Sequence, residues 1–121
     1  MTQILIVDDS PTERHVLKTI LENNGYNVET ASTAEDGIEA AKKLKPDLIL
    51  MDVVMPGING FQATRKLSKD PDTANIPVVI VTTKDQETDR VWGIRQGAKD
   101  YLTKPVDEAE LISKIKSLIG G

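Results

Sequence analysis

Apolar positions along this chain fall into five short runs separated by stretches with helical periodicity. Ile4–Val7, Leu48–Met51 and Val78–Val81 are unbroken apolar runs of strand length, whereas Tyr26–Thr30 and Asp100–Thr103 mix polar with apolar residues. Unbroken runs suit strands buried on both faces, and mixed runs suit sheet edges. Between the runs the period changes. Ser10-Pro11-Thr12-Glu13 combines an N-cap serine, a proline at the first helical position and an acid at the third, which predicts a capping box. Val16, Leu17, Ile20 and Leu21 follow at helical spacing, and Asn24-Gly25 ends the element. Ser32 with Glu35 is expected to cap a second helix whose apolar face is Ala34, Ile38, Ala41 and Leu44. A loop over Asp52–Gly60 leads to a third helix with Phe61, Thr64 and Leu67 on one side. A polar fourth helix runs through Val91, Ile94 and Arg95 to Gly97. Asp107 with Glu110 caps the last, with Leu111, Ile112, Ile115, Leu118 and Ile119 facing inward.

Five strands alternating with five helices predict an α/β fold: a parallel sheet covered by helices on both faces, in three layers. The unbroken runs belong at its centre and the mixed runs at its edges. Right-handed crossovers then favour a doubly wound, flavodoxin-like five-stranded sheet in the order 2-1-3-4-5. Ligands in such sheets bind beyond the carboxyl ends of the strands where the chain reverses direction, here between strands one and three. Asp8-Asp9 follows the first strand and Asp52 follows the third. Three carboxylates brought to one edge require a cation, a shared proton or both. Magnesium answers this, because it takes oxygen ligands and keeps waters that a phosphate can displace.

Composition narrows the remaining classes. At 121 residues, one domain spanning 1–121 is expected. The net charge of −4 argues against nonspecific binding to nucleic acid or an acidic membrane surface. No cysteine is present, which removes disulfides and thiolate chemistry. The first residues lack a signal-peptide pattern and no apolar stretch is long enough to span a bilayer, so cytoplasmic residence is the expectation. No Gly-rich phosphate loop follows the first strand, and His15 has no second metal-binding partner at ligand spacing.

The chain resembles the receiver domains of two-component response regulators, CheY-like, over essentially its whole length. The resemblance rests on Asp8-Asp9, on Asp52 followed by Met55-Pro56-Gly57 and Gly60, on Thr82, and on Lys104-Pro105. It implies that Asp52 accepts a phosphoryl group from the phosphohistidine of a sensor kinase or histidine phosphotransfer protein. It implies magnesium held directly by Asp9 and Asp52, by Asp8 mainly through water, and by the carbonyl of Val54. Lys104 would pair with Asp52 and then with the phosphoryl oxygens, placed at the site by a cis bond between it and Pro105. Thr82 would move onto the phosphoryl group while Tyr101 swings from exposed to buried.

The chain ends at Gly120-Gly121, just after the last helix, so a stand-alone receiver that signals by binding is the leading expectation. Its output face would comprise the fourth helix, fifth strand and fifth helix, with Trp92, Arg95 and Tyr101 as partner-surface residues. Overall likeness is greatest to receivers controlling chemotaxis or type IV pilus motility. Three alternatives stand beside it: a phosphate sink or relay intermediate, a metal-holding binding module never phosphorylated, and a magnesium phosphohydrolase. The last needs a second catalytic acid near Asp52, but the residue two positions on is Val54. That valine predicts a longer-lived phosphoryl state than an acid or amide there would allow.

Overall fold

The structure, a computed structural model, describes residues 2–120. Five strands, β1 (Gln3–Val7), β2 (Asn27–Ala31), β3 (Leu48–Met51), β4 (Val78–Thr82) and β5 (Asp100–Thr103), form one parallel sheet in the order β2-β1-β3-β4-β5. They alternate with α1 (Pro11–Asn23), α2 (Ala34–Leu44), α3 (Gly60–Lys69), α4 (Glu87–Arg95) and α5 (Glu108–Ile119). The expected fold class and strand order are both observed.

Strand side chains alternate between faces, so each central strand supplies two cores. Ile4, Ile6, Leu48, Leu50, Val79 and Val81 pack on one face with Leu17 and Leu21 of α1 and Leu111 and Ile115 of α5. Leu5, Val7, Ile49, Met51 and Val78 pack on the other with Ala34 and Ala41 of α2 and Ala63 and Leu67 of α3. Val53, Phe61, Ile80, Ala98 and Tyr101 form a smaller third cluster beneath α4. Fully buried aliphatic side chains are worth roughly 1.5–3 kcal/mol each relative to exposure, so the two large cores dominate the folding energy.

Local corrections to the sequence reading follow from hydrogen bonding. β2 starts one residue late, because the Tyr26 amide donates to Leu21 O and closes α1, while Asn27 opens the pairing with Gln3. The cap of α2 is Thr33, not Ser32: its hydroxyl accepts from the Asp36 amide at 3.0 Å. Only half of the α1 box forms. Ser10 accepts from the Glu13 amide at 3.2 Å, but its own amide donates to Asp8 Oδ1 at 2.9 Å. Val16 and Leu44, assigned to apolar faces, are 43% and 39% exposed at the edges of their helical stripes. α3 carries a full capping box, Asn59 with Gln62, that the loop assignment overlooked.

Candidate functional site

Strand register brings the acids together. Val7 and Met51 are partners across β1 and β3, so Asp8 and Asp52 leave the sheet at the same level. The Asp52 amide donates to Val7 O at 2.9 Å and the Asp8 amide to Ala31 O at 3.1 Å, which anchors both exits to neighbouring strands. Carboxylate oxygens of Asp8, Asp9 and Asp52 lie within 4.8 Å of one another. Asp8 and Asp52 are buried, and Asp9 is exposed at the mouth.

Lys104 reaches this cluster from the far end of β5, directly before the cis bond to Pro105. Its amide donates to Thr82 O at 2.8 Å, which ties the turn to the end of β4. Its Nζ lies 2.7 Å from Asp8 Oδ2, 3.5 Å from Asp52 Oδ2 and 3.6 Å from Glu13 Oε2. The expected pairing with Asp52 is present but is not the shortest of the three; Asp8 holds the ammonium more closely. Two further residues were not singled out from the sequence. Glu13, read as a capping acid, is the third carboxylate facing Lys104, and Arg14 Nη1 donates to Asp8 O at 2.7 Å. The available signal was their place in the first turn of α1, which starts directly after Asp8-Asp9.

The electrostatics follow from this packing. Burial raises the pKa of Asp52; Lys104 works against that rise, Asp8 adds to it, and the Val53 amide, donating to Oδ1 at 2.7 Å, offsets part of it. For Lys104, burial alone would favour the neutral amine. The hydrogen bond to Asp8 and the charges of Asp52, Asp8 and Glu13 outweigh it and raise the pKa. A buried ammonium thus sits among acids that exceed it in number, and further positive charge is needed for full balance. The donor set is all hard oxygen, which fits a divalent cation of the magnesium or calcium type.

The loop after β3 needs glycine twice. Gly57 adopts φ +80°, a left-handed conformation open to few other residues. A Cβ on Gly60 would overlap the Asp52 carbonyl oxygen and lie 2.7 Å from its carbonyl carbon and 2.8 Å from Val53 Cα. α3 therefore begins in direct backbone contact with the Asp52 segment. Val54, on the same loop, is 55% exposed.

Thr82 is fully buried at the end of β4, near enough to Asp52 for its hydroxyl to lower that pKa. Tyr101 differs from the expectation of an exposed edge residue. It is 4% exposed, its hydroxyl donates to Lys84 O at 2.8 Å, and burial, reinforced by Asp89, Asp52 and Asp85, pushes its pKa up to about 12. Trp92 is 51% exposed and Arg95 is also exposed. Trp92 faces α3 across a groove, so it does not share a surface patch with the buried Tyr101. His15 is exposed. Among the described residues no helix is long and apolar enough to cross a membrane.

Comparison with known proteins bears on this arrangement. The response regulator receiver domain family matches residues 4–116. Protein PilH of Pseudomonas aeruginosa is 60% identical over 121 residues, covering all of both chains. Response regulator PleD of Caulobacter vibrioides is 42% identical over 116 residues, which is 96% of this chain but 26% of PleD. Among solved structures, the chemotaxis protein CheY4 of Vibrio cholerae superposes with a TM-score of 0.91 at 29% identity, over 98% of each chain. The receiver domain of a Pseudomonas aeruginosa sensor histidine kinase, solved with a magnesium ion coordinated in its active-site cleft, gives 0.91 at 30% identity over 99% of this chain and 98% of that one.

Proposed function

The chain belongs to the response regulator receiver domain family, and on that footing we propose that Asp52 takes a phosphoryl group from a phosphohistidine of a sensor kinase or histidine phosphotransfer protein. The observation that carries this reading is the placement of Asp52. It is buried at the end of β3, within reach of Asp8, Lys104 and Thr82, with Asp9 at the open side.

Phosphoryl transfer asks little covalent chemistry of a protein; it asks for alignment and charge. A carboxylate oxygen of Asp52 forms the new P–O bond as the P–N bond to the donor imidazole breaks, and the departing ring nitrogen takes up a proton. Asp52 must be ionised to attack, and Lys104 favours that state against the burial that opposes it. In the transition state negative charge spreads over the phosphoryl oxygens, and the ammonium of Lys104, 3.5 Å from Asp52, is placed to meet it. Thr82 can donate its hydroxyl to another of those oxygens. Asp8, through its 2.7 Å pair with Lys104, keeps the ammonium in the site between turnovers.

Asp9 and Asp52, with Asp8 through water and the carbonyl of Val54, would hold magnesium, which would supply positive charge for the phosphoryl oxygens. The three-carboxylate cluster and the magnesium ion in a structural relative's cleft support this assignment. The acyl phosphate formed is open to hydrolysis, and Val54 offers no side-chain base to activate water, which favours a persistent signal. We place the chain in the cytoplasm as a single receiver domain over 1–121, signalling by protein binding through the α4–β5–α5 face, in a motility-type pathway. The end-to-end match to PilH and the likeness to a chemotaxis protein support that placement.

A second reading, a relay intermediate or phosphate sink, is favoured by one observation. Tyr101 is already buried and bonded to Lys84 O, so its inward position does not wait on a phosphoryl group. One experiment tests the chemistry: intact mass after acetyl phosphate, with and without magnesium, for native protein and Asp52→Asn. A magnesium-dependent gain of one phosphoryl group, absent in the variant, is expected. A gain that persists in Asp52→Asn would sink the assignment. Slow decay of the adduct points to a signal carrier and rapid passage to a histidine acceptor to a relay.

A further inference from the structure

α4 is anchored by very little of itself. Gly93 is its one buried residue, seated on Ile80 and Tyr101 so closely that a Cβ there would come within 2.7 Å of Ile80 Cδ1. Its larger apolar side chains therefore remain in solvent: Val91 is 43% exposed, Trp92 51% and Ile94 44%. These three do not point the same way. Ile94 follows Gly93, on the flank where Arg90 contacts the Tyr101 carbonyl and Asp100 of β5. Trp92 precedes it, on the opposite flank, and with Gln96 forms one wall of a groove of about 430 Å³ between α3 and α4. Asn59, Phe61, Gln62 and Arg65 form the other wall. This groove is separate from the α4–β5–α5 face.

Charge on α3 is of one sign, and Arg65 is the member of that set that lines the groove. α3 carries Arg65, Lys66 and Lys69 and no acid, in a chain whose net charge is −4. Among the described residues none of these three cations has an ion-pair partner. Arg65 is the charged side chain lining the α3–α4 groove, together with an exposed tryptophan and the largely buried Phe61. Tryptophan and arginine together, around a preformed apolar floor, are the side chains most enriched where binding energy concentrates. The floor is rigid, because Phe61 packs into the cluster with Val53, Ile80 and Tyr101, so little ordering cost falls on a ligand.

We infer that the groove between α3 and α4 docks a short acidic segment of a partner protein, which sets one large apolar side chain against Phe61 and Trp92 and a carboxylate on Arg65. The assignment follows from charge complementarity: the groove's lining holds one cation, Arg65, with no ion-pair partner among the described residues and no acid beside it, so a carboxylate of the segment completes it and fixes its register. A basic or neutral segment would gain only the apolar contact.

The test needs no phosphoryl chemistry, so its outcome is independent of the role of Asp52. A library of random short peptides is panned against the intact chain, and the enriched peptides are synthesised and titrated by following Trp92 fluorescence. Expected binders combine Asp or Glu with Leu, Phe or Trp, and they shift the tryptophan emission. Arg65→Glu should weaken them by about tenfold or more, with Arg65→Lys intermediate, and added salt should weaken them further. Arg65 is exposed, so both variants should unfold at the native urea midpoint. Binders without acidic enrichment, binders indifferent to Arg65→Glu, or no binder that alters Trp92 emission would each overturn the inference. Displacement of the peptides by duplex DNA at matched charge would overturn it in favour of a polyanion surface.

Discussion

Replacing Lys104 by methionine tests the charge balance on which the site depends. The substitution keeps the length and apolar stem of the side chain and removes its charge. In the native chain the ammonium side chain is 9% exposed, between Asp8 at 2.7 Å and Asp52 at 3.5 Å, whose own side chains are 2% and 9% exposed. Without it, two buried carboxylates face each other with no cation between them, since Arg14 is bonded to the Asp8 main-chain oxygen rather than to either carboxylate. Taking the 4.8 Å limit on their separation and an effective dielectric near 20, their repulsion alone is about 3.5 kcal/mol. Removing one partner of a buried pair typically costs about 3–5 kcal/mol, so the two routes agree on scale. Water entering past Asp9 and partial protonation of Asp52 will relieve part of this. The expected loss for Lys104→Met is therefore about 2–4 kcal/mol in chelator at neutral pH. Urea unfolding with EDTA measures it. Repeating the titration in millimolar magnesium should return much of the loss, because a bound cation replaces the missing charge and stabilises the variant by mass action. A Lys104→Met chain within about 0.5 kcal/mol of native in EDTA, or one that magnesium does not stabilise more than native, would refute this account of the cluster.

Asp52→Asn should raise stability in metal-free protein. Burial lifts the folded pKa above the ordinary 3.8, so the folded state binds this proton more tightly than the unfolded chain. The resulting penalty is absent below the unfolded value and complete above the raised folded one. The gain in urea midpoint should be full at pH 7.5 and vanish as pH falls towards 4; a gain that grows on acidification would contradict the sign. Gly60→Ala should cost about 1–3 kcal/mol, since its Cβ meets the Asp52 and Val53 backbone, and should slow labelling by acetyl phosphate as Asp52 shifts. Normal labelling in a destabilised variant would show that the loop yields without moving Asp52. Val54→Asn should shorten the phosphoryl lifetime by roughly tenfold, by placing a polar group where water could be oriented; following the mass adduct over time checks this, and an unchanged decay would dismiss Val54 as a determinant.

The sheet order was legible because unbroken apolar runs cannot lie at a solvated edge, and because crossover handedness leaves few ways to connect five parallel strands. Both rules operate on patterns of several residues, so single-residue errors such as Ser32 for Thr33, or β2 shifted by one, did not disturb the result. The convergence of Asp8, Asp9 and Asp52 was legible for a related reason: the pair Asp8-Asp9 and the single Asp52 each come at the end of a strand whose place in the sheet is predictable. Boundaries were harder. They are set by individual hydrogen bonds, such as Tyr26 N–H to Leu21 O, that have close competitors one residue away.

By itself, the amino-acid sequence determined the α/β alternation, the strand order and the edge of the sheet at which three carboxylates meet. It did so because backbone pairing and burial depend on averaged apolar patterns. Tertiary structure alone decided that Lys104 sits closer to Asp8 than to Asp52, and that Glu13 and Arg14 brace the same cluster. It alone decided that Tyr101 is sealed under α4 while Trp92 looks across to α3. These outcomes turn on the direction of single side chains. Lys104 and its nearer partner are 96 residues apart in the chain. Which oxygen an ammonium meets at that separation depends on differences of under an ångström, which only the packed molecule can settle.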